Sequence, residues 1–293
     1  MFIPELIRKC VAFVAFNCAE GPRLAGTAFF VGIDIPNTRV HKTYAITARH
    51  VIEAIRQRSV DQKIFFRTNL RKGSTDYFFS KISDWRFHPT NDIIDVAALP
   101  MKMPEEIDHL AYPMSQSVSP EIIEVEQIGA GTEVFLVGLF SRHFGLKRNI
   151  PIIRVGNIAA MPEEPIEFQE SKSVEAYLIE TRSLGGLSGS PVFAHLGNVR
   201  IRDGKPQFAI GGAVLYLLGL VRGHWEKPIF DEVLTEKFKV MEERVNMGIA
   251  VVVPVKQIQE VLNQPEFLRE RKQIEEELAS RVAADTSNNS EIK

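Results

Sequence analysis

Ser188 sits in Gly186-Leu187-Ser188-Gly189-Ser190-Pro191, between glycines and ahead of the apolar Val192-Phe193. A serine that transfers acyl groups needs a tight turn of this kind. The turn lifts the hydroxyl clear of the backbone and aims nearby N–H groups at one point, where a carbonyl oxygen can carry negative charge. Glycines permit that backbone because they have no Cβ to clash. Two upstream segments hold the other groups such chemistry needs. Tyr44-Ala45-Ile46-Thr47-Ala48-Arg49-His50 is a β-prone run ending in a histidine, and Asp92-Ile93-Ile94-Asp95-Val96-Ala97-Ala98-Leu99 is an acid leading into an apolar strand. A serine hydroxyl is a poor nucleophile until a base removes its proton. An imidazole can take that proton near neutral pH, and a carboxylate can hold the imidazole in the right tautomer. Asp92 is the rival to Asp95 for that last role.

The chain order His50, Asp95, Ser188 is the order of the chymotrypsin-like triad, not that of subtilisins or α/β-hydrolases. The short interval from His50 to Asp95 fits one barrel, and the longer one to Ser188 fits a nucleophile on a following barrel. The chain therefore resembles the chymotrypsin-fold, trypsin-like serine peptidases. Ile46-Thr47-Ala48-Arg49-His50 is similar to that family's T-A-A-H box. Asp95-Val96-Ala97-Ala98-Leu99 is similar to its D-I-A-L box, and the D-h-A-h pattern favours Asp95 over Asp92. Gly186-Leu187-Ser188-Gly189-Ser190-Pro191 is similar to its G-D-S-G-G-P box, and Gly26-Thr27-Ala28-Phe29-Phe30-Val31-Gly32 to the hairpin before the histidine strand. The Ser-Gly-Ser-Pro-Val-Phe ending most resembles the bacterial glutamyl-endopeptidase (V8-like) branch. The resemblance spans roughly residues 8 to 262. It implies a nucleophile at Ser188, a base at His50, an orienting acid at Asp95, and an oxyanion hole from the N–H groups of Gly186 and Ser188.

Departures from the pattern carry their own expectations. Leu187 replaces the acid that in digestive enzymes receives a newly released N-terminus, so that zymogen switch is not expected. Arg49 stands where the family has alanine. For the primary pocket, Arg182, Arg222 and His224 allow two readings: a cationic pocket preferring Glu or Asp side chains, or basic residues on a solvated rim. In the V8-like branch a histidine follows a Gly-Ile pair directly; here Val221 holds that place and His224 comes later.

The elements expected to position these groups follow from the pattern. Many short apolar runs separated by Gly, Pro, Asn and Asp predict an all-β protein. The resemblance makes it two six-stranded Greek-key barrels with a C-terminal helical extension. The expected division is an N-terminal barrel over 1–115 carrying His50 and Asp95, and a C-terminal barrel over 116–255 carrying Ser188. Within the second, helical periodicity from Phe230 to Met241 predicts an insertion at about 226–246. Helices are expected over 256–284 and a disordered polar tail over 285–293. The stretch after Leu262 predicts no appended PDZ domain, and hence no HtrA-type architecture. The C-terminal helix carries a stripe of Phe267, Ile274, Leu278 and Val282, which fits packing on its own domain or, with the insertion (222–247), a surface for a regulatory partner.

The bulk properties exclude several classes. The chain has 293 residues, 45% hydrophobic and 25% charged, with net charge −2, which is ordinary globular composition. That balance gives no electrostatic case for nucleic acid or an anionic membrane. No apolar run approaches the ~20 residues that span a bilayer. His41, His88, His109, His143 and His195 lack metal-ligand spacing, no cofactor fingerprint appears, and the expected partner is a peptide or protein substrate. Residues 8–16 read as a first strand rather than a signal peptide, because Glu5 interrupts the basic region and no cleavage site follows. Cys10 and Cys18 lie too far apart along one extended segment to bridge, at about 3.3 Å rise per residue. Both features predict a cytoplasmic protein. Two other functions fit the same residues: a catalytically silent or partner-gated binding module, and a hydrolase of small esters.

Overall fold

The computed structural model describes residues 1–168, 172–181, 186–197, 199–202, 205–208, 214–228 and 244–290. A short 3-10 helix, Glu5–Cys10, leads into β1 (Val11–Cys18), so the first strand starts a little later than the sequence suggests. Then come β2 (Gly21–Asp34), β3 (His41–Thr47), α1 (Arg49–Arg58), β4 (Lys63–Asn69), β5 (Thr75–Lys81), β6 (Arg86–Phe87), β7 (Ala97–Met101) and β8 (Tyr112–Pro113). They form one eight-stranded sheet in the order β5-β4-β1-β2-β3-β7-β6, with β8 added parallel to β2. β1 lies inside this sheet, between β2 and β4. Val11 to Phe16 are all buried, and an unbroken apolar run is the pattern such a strand requires.

After a connection carrying α2 (Pro120–Glu126), the second half comprises β9 (Glu133–Gly138), β10 (Ile152–Ala160), β11 (Ile166–Phe168), β12 (Lys172–Val174), β13 (Tyr177–Glu180), β14 (Pro191–Leu196), β15 (Val199–Arg202), β16 (Lys205–Phe208), β17 (Val214–Pro228) and β18 (Arg244–Pro254). Six of these close into a barrel, β10-β13-β18-β17-β14-β9. β11 with β12, and β15 with β16, form separate two-stranded ribbons. β17 is one long strand. The expected insertion at 226–246 begins and ends as paired strand, with Lys227 opposite Val245 and Pro228 opposite Arg244. The helix expected from Phe230 to Met241 lies outside the described residues.

Side chains tie the two halves together. Arg67 of β4, 3% exposed, donates to Asn149 Oδ1 (2.6 Å), Gly145 O (2.8 Å) and Leu146 O (3.1 Å) in the loop between β9 and β10. A guanidinium so buried is tolerable because its donors meet acceptors. Tyr112 donates its hydroxyl to Leu215 O at 2.7 Å, and burial pushes that phenol's pKa up.

At the C-terminus α3 (Val255–Leu262) buries Val255, Ile258, Val261 and Leu262. α4 (Pro265–Ser290) then returns to the first sheet. Phe267 packs on Tyr44 with ring centroids 5.2 Å apart, and Arg271 donates to Tyr44 Oη (3.0 Å) and Leu262 O (2.9 Å). Lys42–Glu270 and Arg86–Glu266 ion pairs flank the contact. The start of the predicted partner stripe is thus spent on the protein's own sheet. The tail expected to be disordered from Asp285 continues as helix to Ser290. A nucleated helix gains one hydrogen bond for each residue added, even in polar sequence. Among the described residues no helix is long and apolar enough to cross a membrane.

Candidate active site

β3 ends at Thr47, which pairs with Ala97 of β7. This register sets the chain just after β3 beside the chain just before β7. His50 falls in the first turn of α1, where backbone N–H groups have no helical partner, and the N-cap residue Ala48 offers no side-chain acceptor. Asp95 supplies it. Its Oδ1 accepts the His50 N–H at 2.8 Å, while its Oδ2 lies 2.7 Å from His50 Nδ1. One carboxylate therefore caps the helix and orients the ring through Nδ1.

The Asp95 side chain is 5% exposed, against 47% for His50. Burial alone would raise the Asp95 carboxyl's pKa. The charge of His50, the two hydrogen bonds from it and the nearby Arg222 cation outweigh burial and hold it below the usual range. Asp92, the rival acid, is exposed and pairs with Arg49 at 2.7 Å. Arg49 also pairs with Glu53 at 2.6 Å and lies over the Phe87 ring. Both residues that departed from or competed with the family pattern are thus satisfied with each other, away from the dyad.

The nucleophile loop is held largely through its backbone. The Ser190 N–H donates to Leu187 O (2.9 Å), closing a tight turn around Ser188. Thr27 N–H donates to Ser188 O (3.0 Å), Gly189 N–H to Val221 O (2.8 Å), and Val221 N–H to Ser190 O (2.8 Å). Gly186 and Gly189 take φ of +101° and +82°, a region costly for other residues. At Gly189 a Cβ would also overlap Thr27 O and Thr47 Oγ1. Among the described residues no acceptor takes the N–H of Gly186 or Ser188. Ser188 Oγ itself donates to Arg222 O at 3.4 Å, not to His50.

The pocket residues part company. Arg182 lies outside the described residues. The Arg222 guanidinium lies 3.9 Å from Asp95 Oδ2, donates to Ile93 O (3.3 Å) and sits over the Phe168 ring at 5.4 Å. His224 is half-buried on β17, opposite Ala250 of β18. Two contributors were not visible as such from the sequence. One is the Arg222 side chain beside the dyad. The other is the hydroxyl of Thr27, in a box recognised only as a hairpin.

No family model matches the chain, and no curated protein matches it. Solved structures do. The MamO protease domain of Magnetospirillum magneticum (apo form) is similar at 14% identity and a TM-score of 0.50, over 87% of this chain and 96% of that one. Deg5 is similar at 14% identity and 0.46, over 87% and 88%. The HtrA-type protease AlgW with a decapeptide is similar at 11% identity and 0.48, over 88% of this chain and 65% of that one. The V8-like affinity rests on the Ser-Gly-Ser-Pro-Val-Phe ending. The chain has the chymotrypsin-like fold of trypsin-like serine protease domains.

Proposed function

We propose that this protein is a serine endopeptidase in which His50, Asp95 and Ser188 act as the triad. Ser188 Oγ turns from Arg222 O to His50 Nε2, gives up its proton and attacks the scissile carbonyl. The N–H groups of Gly186 and Ser188 receive the developing oxyanion. The tetrahedral adduct collapses, the C–N bond breaks, and His50 returns the proton to the leaving amine. Water then repeats the sequence on the acyl-enzyme, with His50 as base, and frees Ser188. Asp95 holds the ring and stabilises its cationic form throughout.

The observation that carries this reading is the Asp95 carboxylate, buried and spending both oxygens on His50, 2.8 Å from its N–H and 2.7 Å from Nδ1. A histidine kept only for packing has no need of that arrangement. Preference for acidic side chains at the cleavage position would rest on Arg182, Arg222 and His224. A reducing, cytoplasmic setting fits the free thiols of Cys10 and Cys18, both buried.

A second reading has its own support. The resting Ser188 hydroxyl points at Arg222 O, as it would in a binding module, or in a peptidase that a partner switches on. Fluorophosphonate labelling read by intact mass, beside Ser188→Ala and His50→Ala, separates these. A single adduct on the wild type, absent from both variants, supports an assembled triad. No adduct favours the silent or gated module. For a labelled enzyme, a peptide panel with Glu and Asp at the cleavage position, run beside small esters, distinguishes a peptidase from an esterase and tests the acidic preference.

A further inference from the structure

We infer that Thr27 is a positioning residue that holds the oxyanion loop in its working shape from the opposite half of the molecule. The inference rests on the serine-peptidase reading. Thr27 belongs to β2 and is wholly buried. Its hydroxyl accepts the N–H of Leu139 at 2.9 Å and donates to the carbonyl of Gly186 at 3.3 Å. Its backbone N–H donates to Ser188 O at 3.0 Å, and its own carbonyl accepts the Thr47 hydroxyl at 2.7 Å. One residue thus binds the loop on either side of the nucleophile. It also binds the chain leaving β9, and the strand end that precedes His50.

The consequence concerns peptide planes. The oxyanion donor on Ser188 belongs to the Leu187–Ser188 peptide, whose carbonyl is tied to Ser190 N–H. The plane before it is set by the bond from the Thr27 hydroxyl to Gly186 O, and the plane after it by the bond from Thr27 N–H to Ser188 O. Gly186, at φ +101°, has unusual freedom to rotate. The hydroxyl is therefore the group that stops the Gly186 carbonyl from turning and carrying the adjoining donors off target. Valine has threonine's shape without the hydroxyl, so Thr27→Val leaves Leu139 N–H unpaired in a buried place and releases the Gly186 carbonyl. Thr27→Ser keeps the hydroxyl.

The test compares wild type, Thr27→Val and Thr27→Ser. Removing one oxyanion donor typically costs about 10²- to 10³-fold in rate. Misaligning the pair should cost about 10- to 100-fold in kcat, with KM little changed, per active site titrated by fluorophosphonate. Thr27→Ser should recover most of it. Hydrogen exchange read over residues 186–190 should quicken in Thr27→Val and return towards wild type in Thr27→Ser. This readout stands without activity: if the wild type neither labels nor turns over, the peptidase reading fails, while the exchange data still judge the Thr27 tether. The inference is overturned if Thr27→Val matches wild type in exchange over 186–190. It is overturned equally if Thr27→Val keeps wild-type kcat, or if Thr27→Ser fails to rescue.

Discussion

The two halves of the candidate site are built by different means. The acid–base half, on the first sheet, is fixed by a side chain: a buried carboxylate spends both oxygens on one histidine. The nucleophile half, on the second barrel, is fixed by backbone: carbonyls and amides of Leu187 to Ser190 bond to Thr27, to Val221 and within the turn. Its reactive hydroxyl rests on a long bond to Arg222 O. In the first half the two side chains are in contact, and in the second the Ser188 hydroxyl bonds to Arg222 O. Side-chain chemistry and pH should therefore govern the first, and backbone freedom and added bulk the second.

The sharpest break of this contrast is Asp95→Asn. An asparagine can still accept the His50 N–H, so α1 keeps its cap. Its amide would donate to Nδ1 and leave the ring in the wrong tautomer to accept from Ser188. The rate of fluorophosphonate labelling should fall by about 10⁴-fold, with the circular dichroism spectrum unchanged. A fall of less than about tenfold would show that the dyad does not set reactivity. Gly189→Ala attacks the other half. A Cβ there overlaps Thr27 O and Thr47 Oγ1 at a φ of +82°. Strained backbone of this kind costs about 1–3 kcal/mol, and the overlap must also displace the loop. Labelling should drop by at least about tenfold, with a lowered Tm. An unchanged Tm would mean that the loop is not held as tightly as its backbone bonds indicate.

How much could be read beforehand follows the same division. The His50, Asp95 and Ser188 segments were legible because the chemistry demands particular residue types in a particular chain order. The strands around them were legible from alternating or continuous apolar runs. The direction of Arg222 was not. β17 has irregular register against β18 between Val221 and Gly223, and again between His224 and Glu226. Each such slip can turn the following side chains to the other face, so residue type at nearby positions does not fix the direction in which they point. Thr27 escaped notice for another reason. Its hydroxyl reaches residues more than a hundred positions away from it, Leu139 and Gly186, and no local pattern encodes such a bond.

A smaller effect is expected from acid. The Asp95 carboxyl is held below its usual range in the folded protein. Its contribution to stability is therefore fully present above the unfolded value, about pH 4, and is lost as pH falls through the lower folded value. The gap in urea midpoint between wild type and Asp95→Asn should narrow as pH falls below about 4. A gap that does not change with acid would mean that the carboxylate's charge adds nothing to folding.

The smallest effect separates the two acids. Asp92 and Asp95 lie close in sequence on one approach to β7, yet they meet different surroundings. The Asp92 side chain is 89% exposed, and its partner Arg49 has a second carboxylate in Glu53. Water already solvates Asp92, and exposed pairs contribute little. Arg49 would keep its contact with Glu53 and its place over Phe87. Asp92→Asn should therefore change the labelling rate by less than about twofold, against the 10⁴-fold expected at Asp95. A large loss at Asp92 would mean that the Arg49 network reaches the imidazole. The acid–base half would then be an extended charge cluster rather than a single buried carboxylate acting on one ring.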